Sequence, residues 1–263
     1  MESVLLSEIV LAAGGRYLLS GVTLTIDPGQ VVAIEGDRGT GKSTLLATAA
    51  GLLAPESGAV KLAGRDILGL ESSSLPFVRR NIGYLPPAPP FVRYESAIEN
   101  VMLAVAMRGA CVAEAEHLAA GKLAELGVLD LADRPIDTLS ATEAHLVALA
   151  RALVGPPPFI VLDEPGALLR PDDLERVVEA IFAAALRDSA AVLCASGDAA
   201  FVAELAARGA STLVLADGGL TSRSGGRKGR ARSEAPNPGR ALPAASGVIL
   251  AFPGGKAGKR EAL

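Results

Sequence analysis

Eight consecutive residues, Gly36-Asp37-Arg38-Gly39-Thr40-Gly41-Lys42-Ser43, have the types and spacing for one piece of chemistry. Glycines without Cβ atoms let successive backbone N–H groups curl around a polyphosphate. A lysine directly after the last glycine reaches the β- and γ-phosphates, and the serine hydroxyl beside it suits Mg²⁺. An apolar run, Val31-Val32-Ala33-Ile34, precedes the stretch, and Thr44-Leu45-Leu46-Ala47-Thr48-Ala49-Ala50 continues it as a helix, whose N-terminus adds partial positive charge. Strand, glycine turn and helix together read as a P-loop for a nucleoside triphosphate, with Gly36, Asp37, Arg38, Gly39, Thr40, Gly41, Lys42, Ser43 and Thr44 lining it. A glycine turn that carries Lys-Ser by chance is the competing reading, and the flanking elements weigh against it.

A second constellation lies 120 residues on. Phe159-Ile160-Val161-Leu162 is an apolar strand that ends in Asp163-Glu164-Pro165. Opposite a P-loop lysine, Asp163 would join Ser43 in the Mg²⁺ shell, while Glu164 would orient or deprotonate an attacking water. A buried strand ending at a helix cap looks the same in isolation; the P-loop upstream is what gives the pair meaning.

The elements that must position these residues alternate along the chain. Residues 3–10 and 22–26 read as strands separated by Gly14-Gly15, with Asp27-Pro28-Gly29 a turn into the P-loop strand. Pro55-Glu56-Ser57-Gly58 reads as a turn before a short strand at 60–62. A helix around 74–80, a strand at 82–85 and a proline break, Pro86-Pro87-Ala88-Pro89-Pro90, come next. Residues 96–129 turn helical, and Ser140-Ala141-Thr142-Glu143 is a capping box ahead of an apolar helix over 146–153. Helix 171–186, strand 190–195, helix 199–207 and strand 212–216 complete an α/β pattern with a parallel sheet. Beyond Gly219 the texture becomes Gly, Ser, Arg and Pro, a composition expected to be disordered, with Val248–Phe252 its one apolar run.

Half of the 263 residues are apolar, which suits a substantial soluble core, and Pro, Arg or Asp interrupts every run that might span a bilayer. The start, Met1-Glu2-Ser3, lacks the basic opening of a secretory signal. Cys111 and Cys194 stand far apart without metal-ligand spacing and read as small buried hydrophobes in a reducing compartment. Residues 222–263 hold nine Lys/Arg against two Asp/Glu, a net charge of +7, so that the overall −4 leaves −11 on residues 1–221. An acidic body argues against a nucleic-acid-binding core.

With both constellations in place, residues 4–220 resemble the ATP-binding subunits of ABC (ATP-binding cassette) systems. The likeness rests on the P-loop, Ile82-Gly83-Tyr84, Glu99-Asn100-Val101, Leu139-Ser140, Ala148-Leu149-Ala150-Arg151-Ala152-Leu153 and Asp163-Glu164-Pro165. Leu75 to Gly83 and the helical insert after it look most like the branch of the cell-division ATPase FtsE and the lipoprotein-release ATPases. The resemblance implies an α/β, P-loop NTPase domain of the ABC type over 1–221, with an antiparallel β edge, a helical lobe inserted at about 88–155, and the basic segment 222–263 as a tail. It further implies ATP and Mg²⁺ as ligands, Lys42 and Glu164 as catalytic residues, and Ser140 as a contact to ATP. Head-to-tail pairing with a second copy or a related subunit, docked on a membrane permease at the inner face of the plasma membrane, follows from the same likeness.

Five positions depart from the family pattern. The adenine-stacking aromatic falls near Ala13, with Tyr17 the nearest ring, and the water-sensing glutamine is Pro87, which has no side-chain donor. The signature reads Leu139-Ser140-Ala141-Thr142-Glu143, with Cβ atoms where glycines belong. Arg170 replaces an aspartate and Gly197 replaces the switch histidine. No stand-in is evident: Gln30 is the lone glutamine, and His117 and His145 both lie on expected helices with solvent or core roles. Three readings stay open: an ATPase coupled to a membrane partner and slowed by these losses, a subunit that binds ATP without hydrolysing it, and a soluble protein whose basic tail meets nucleic acid. The tail equally suits anionic lipid.

Overall fold

The computed structural model describes residues 3–71 and 73–222. The basic tail from 223 onward, including the apolar run 248–252, lies outside the described residues.

Two sheets carry the molecule. The first is antiparallel, in the order β2-β1-β4-β5, from β1 (Val4–Ala13), β2 (Arg16–Ile26), β4 (Ser57–Leu62) and β5 (Arg65–Asp66). The second has the order β10-β9-β3-β8-β7-β6. Its parallel strands are β3 (Val31–Glu35), β6 (Ile82–Leu85), β7 (Phe159–Asp163), β8 (Ala191–Ser196) and β9 (Ser211–Ala216), with β10 (Gly219–Ser222) antiparallel at one edge. Strands β7 and β8 are buried along their whole length, as continuous apolar runs require in a sheet covered on both faces.

The pleat sorts these strands into two cores. Ile160 and Leu162 of β7 join Val192 and Cys194 of β8 in one, packed under α5 (Ala141–Leu153), α6 (Pro171–Asp188) and α7 (Ala199–Ala207). Phe159 and Val161 face the other way, with Leu193 and Ala195, toward α1 (Lys42–Ala49) and the antiparallel sheet. The helical lobe is α3 (Ala97–Ala106), α4 (Val112–Glu125) and α5. Its apolar residues Val101, Val105, Ala119 and Leu123 are continuous with the first core. α2 (Leu75–Arg79) lies in the approach to β6.

Local chemistry explains the ends. Ser96 and Glu99 form a reciprocal capping box on α3, as Ser140 and Glu143 do on α5. Pro171 opens α6 with Asp172 and Asp173 in its first turn, which matches the helix dipole. Asn100, fully buried, accepts from Val92 N at 2.9 Å and donates to Val92 O at 3.1 Å, pinning the loop ahead of α3. At Gly83 a Cβ would stand 2.0 Å from Ala152 O, so close packing of β6 on α5 demands glycine there.

Several sequence expectations are corrected. Ser57-Gly58 is not a turn but the start of β4, because antiparallel pairing with β1 reaches Val10↔Ser57. The helical stretch 96–129 is two helices, broken where Gly109 takes φ +100°. α1 begins at Lys42, earlier than read, whereas α5 begins at Ala141, directly behind its expected Ser140 cap. Order runs past Gly219, since β10 pairs with β9 from Gly219↔Ala216 to Ser222↔Leu213. Cys111 is exposed at the N-cap of α4; only Cys194 is buried, and its surroundings push that thiol up to about 12.

Candidate functional site

β3 ends at Glu35 and α1 begins at Lys42, so the glycine stretch is the connection between them. A Cβ on Gly36 would stand 2.8 Å from Leu215 O, and Gly41 holds φ +98° at the N-cap of α1. Both positions need glycine. Thr40 Oγ1 donates to Asp37 O at 2.9 Å and braces the curl. Lys42 is 6% exposed, and its ammonium donates to Gly36 O at 2.5 Å and Asp37 O at 2.8 Å, arched back over its own loop. The N–H groups of Lys42, Ser43 and Thr44 have no intrahelical acceptor, no side chain caps them, and no acidic residue lies in the first turn of α1. The cup therefore has donors facing outward and no protein acceptor to meet them, while Asp37, Arg38, Gly39 and Ser43 stand exposed around its mouth.

Asp163 closes β7 with 1% exposure, and neither carboxylate oxygen accepts a hydrogen bond. Burial raises its pKa above the usual carboxylate range; the nearby Ser43 hydroxyl offsets part of the rise, the Glu164 charge adds to it and Lys42 opposes it. A buried carboxylate without a partner is costly unless a cation meets it. The residues present therefore fit Mg²⁺ held by Ser43 and Asp163. Tyr84 on β6 feels the same charge: burial first, and then Asp163, push its phenol up to about 12.

Glu164 sits at φ +51°, outside the usual range for a side chain of its size. Its N–H donates to Ala195 O at 2.9 Å, and its carboxylate turns toward the end of β8. There it accepts from Ser196 Oγ at 2.8 Å and from Gly197 N at 2.9 and 3.1 Å. A Cβ built on Gly197 would lie 3.5 Å from Glu164 Oε1 and 3.6 Å from Gly36 O, so position 197 faces the cup. Ser196 was not a sequence candidate. Its role depends on strand register, and no local signal marks it.

Of the residues expected at the site, the structure brings together 36–44, Asp163 and Glu164. Ser140 lies elsewhere: it lines a cleft of about 370 Å³ with Thr142, Leu131, Arg170, Asp173 and Arg176. Its hydroxyl accepts from Glu143 N at 3.3 Å, and Thr142 Oγ1 donates to Leu168 O at 2.9 Å. Arg170 bonds Asp173 at 3.0 Å rather than facing the cup. Pro87 is exposed after β6, and Tyr17 pairs with Ala12 across the β1–β2 hairpin, half-exposed. His117 is exposed, whereas His145 is buried with Nε2 at 3.1 Å from Pro165 O, one residue past Glu164. Gln30 serves the fold, bonding Asp27 N and Ser211 Oγ.

Known proteins are similar to this chain in sequence and fold. Residues 19–167 match the sequence profile of the family described as ABC transporter. The chain is 34% identical to the lipoprotein-releasing system ATP-binding protein LolD of Hyphomonas neptunium, over 70% of this chain and 82% of that protein. It is 32% identical to the cell division ATP-binding protein FtsE of Escherichia coli, over 79% and 91% respectively. Its fold superposes with a TM-score of 0.75 on the dimeric post-hydrolysis state of the ATP-binding cassette MJ0796 bound to ADP and Pi, at 27% identity, over 84% of this chain and 99% of that one.

Proposed function

This chain belongs to the ABC transporter family, and from that premise we propose that it is the ATP-binding subunit of a membrane complex, coupling ATP binding and slow or partner-stimulated hydrolysis to a permease or division partner. The observation that carries the reading is the pairing of an amide-lined cup, its ammonium folded back onto the Gly36 and Asp37 carbonyls, with the unpartnered carboxylate of Asp163. Phosphate oxygens would draw Lys42 off the Gly36 and Asp37 carbonyls, and the first N–H groups of α1 would take the rest of the charge. Ser43 and Asp163 would hold Mg²⁺, which when bound would supply charge neutralisation for the phosphates. Glu164 would orient water and accept its proton. Calorimetry tests this directly: wild-type protein should take up Mg-ATP and Lys42→Ala should lose at least about a hundredfold in affinity. Equal affinity would end the assignment.

A second reading, binding without hydrolysis, is favoured by Pro87, Ala141, Thr142 and Gly197, none of which offers the group that would position water or γ-phosphate. Steady-state turnover that vanishes on Glu164→Gln supports the enzyme; absence of turnover with a partner present supports the ligand-switch reading.

Among the described residues no helix is long and apolar enough to cross a membrane, so attachment at the cytoplasmic face would run through the partner. The relative named as a dimer supports pairing with a second copy or a related subunit. Basic residues in 222–263 suit anionic lipid at about 1 kcal/mol each near the surface. Nucleic acid fits less well, given a body of charge −11. Loss of vesicle retention on deleting 223–263, with DNA retention unaffected, is the expected outcome.

A further inference from the structure

The end of β8 lies between the two strands that carry the site. Ser196 pairs with Glu35 of β3, one residue before the cup, while Ala195 pairs with Asp163 of β7, one residue before Glu164. We propose that Ser196 is the positioning residue for Glu164: its hydroxyl and the following amide of Gly197 form a two-pronged grip that aims the carboxylate at the cup. The proposal rests on the reading of Glu164 as the residue that handles water.

The direction of each bond is determined. Asp198 N–H donates to Ser196 Oγ at 3.0 Å, so the hydroxyl oxygen is already an acceptor there. Its single proton is then free for Glu164 Oε2 at 2.8 Å, and an ionised carboxylate can only accept. Gly197 N–H serves Oε1 at 2.9 Å and Oε2 at 3.1 Å. Ser196 is 2% exposed, so water does not compete for the hydroxyl. The backbone completes the arrangement: the left-handed turn at Glu164 and the bond from its N–H to Ala195 O send its side chain back over β8. No side chain at 197 shares the work, although a Cβ there would touch both Glu164 Oε1 and Gly36 O. The orientation of the carboxylate therefore depends on one hydroxyl and one amide.

The experiment compares wild type, Ser196→Ala and Ser196→Thr in full-length protein with Mg-ATP, and repeats Ser196→Ala in the Glu164→Gln background. Losing one hydrogen bond to a charged group should lower kcat about tenfold with KM for ATP within about twofold, and threonine should restore most of the rate. In the Glu164→Gln background, where turnover is lost, alanine should leave the affinity for Mg-ATP unchanged. Unchanged kcat in Ser196→Ala, or a rise in KM with a lowered melting point that threonine fails to rescue, would overturn the proposal and leave Ser196 a packing residue. If the wild type binds Mg-ATP without turnover, or does not bind it, the function proposed above fails in part or whole, and amide exchange at Gly197 followed by NMR still decides the grip. Exchange there should speed about tenfold in both Glu164→Ala and Ser196→Ala; equal exchange in all three proteins would sink it.

Discussion

At the scale of single residues, the site is a set of unmet demands. Asp163 is the sharpest: burial raises its pKa above the usual 3.8, so the folded state holds the proton more tightly than the unfolded state does. Stability must then fall as pH rises from about 3.8 through the folded-state value, and at neutral pH the ionised carboxylate is a net liability without a cation. Asp163→Asn should raise the stability of the nucleotide-free protein by about 1 kcal/mol in urea melts with EDTA while removing the Mg²⁺ dependence of ATP binding. A variant less stable than wild type would mean that Asp163 has a structural partner after all. Gly197 offers the opposite experiment. A Cβ there makes only ordinary contacts, 3.5 and 3.6 Å, and its backbone is not left-handed, so Gly197→His is sterically open. An imidazole beside Glu164 and Gly36 adds a donor where charge develops, and turnover should rise about tenfold. No rise would locate the deficit at Pro87 or in the signature. The cup, Asp163 and Glu164 were legible in the sequence because each of their residue types answers a local constraint. Ser196 was not, because its role comes from the register of three strands distant in the chain.

At the scale of elements, legibility follows the range of the forces. Ser140 and Glu143 announce α5 because a capping box is complete within four residues. The strands β3, β7 and β8 were readable from apolar runs, since burial on both faces leaves no polar alternation to confuse them. β5 and β10 carry no such run; each exists because a neighbour offers an unpaired edge. The break between α3 and α4 was hidden by alanine-rich sequence on both sides of it. Helix α5 does more than its cap suggested. His145 and Thr142 reach the segment after Glu164 at Pro165 O and Leu168 O, and Leu168 is itself left-handed at φ +65°. Burial lowers the pKa of His145 below 6.5, with the Pro165 carbonyl pulling weakly the other way. The unfolded chain therefore binds a proton more readily than the folded one. Stability rises with pH across the window from the folded value up to about 6.5, and is lost as pH falls through it. His145→Gln, which retains an N–H for Pro165 O, should flatten that slope in urea melts taken between pH 5 and 7; a slope as steep as wild type would assign it to other groups.

At the scale of the molecule, one sheet separates two cores, and the residues proposed to hold ATP leave it together at the carboxyl ends of β3, β7 and β8. That edge is where parallel sheets place ligands, because strand ends and helix starts meet there. The helical lobe has no core of its own: Val101, Val105 and Leu123 share theirs with Ile160 and Val192 of the central sheet through α5. A ligand that ties α1 to β7 and β8 thus braces strands buried in both cores, and its binding energy should appear as stability of the whole body rather than of one loop. Binding to the folded state alone contributes about 2.7 kcal/mol at a ligand concentration one hundred times Kd. For a folded body of this size each kcal/mol moves the midpoint by roughly 2–4 °C, so Mg-ATP at that excess should raise Tm by about 5–10 °C. Unfolding should stay a single transition, since the lobe cannot melt without opening the first core. Lys42→Ala should abolish the shift without changing the Tm measured in the absence of nucleotide by more than a few degrees, because its ammonium bonds only loop carbonyls. Differential scanning calorimetry of both proteins with and without Mg-ATP checks the claim, and two separate transitions, or equal shifts in the two proteins, would contradict it.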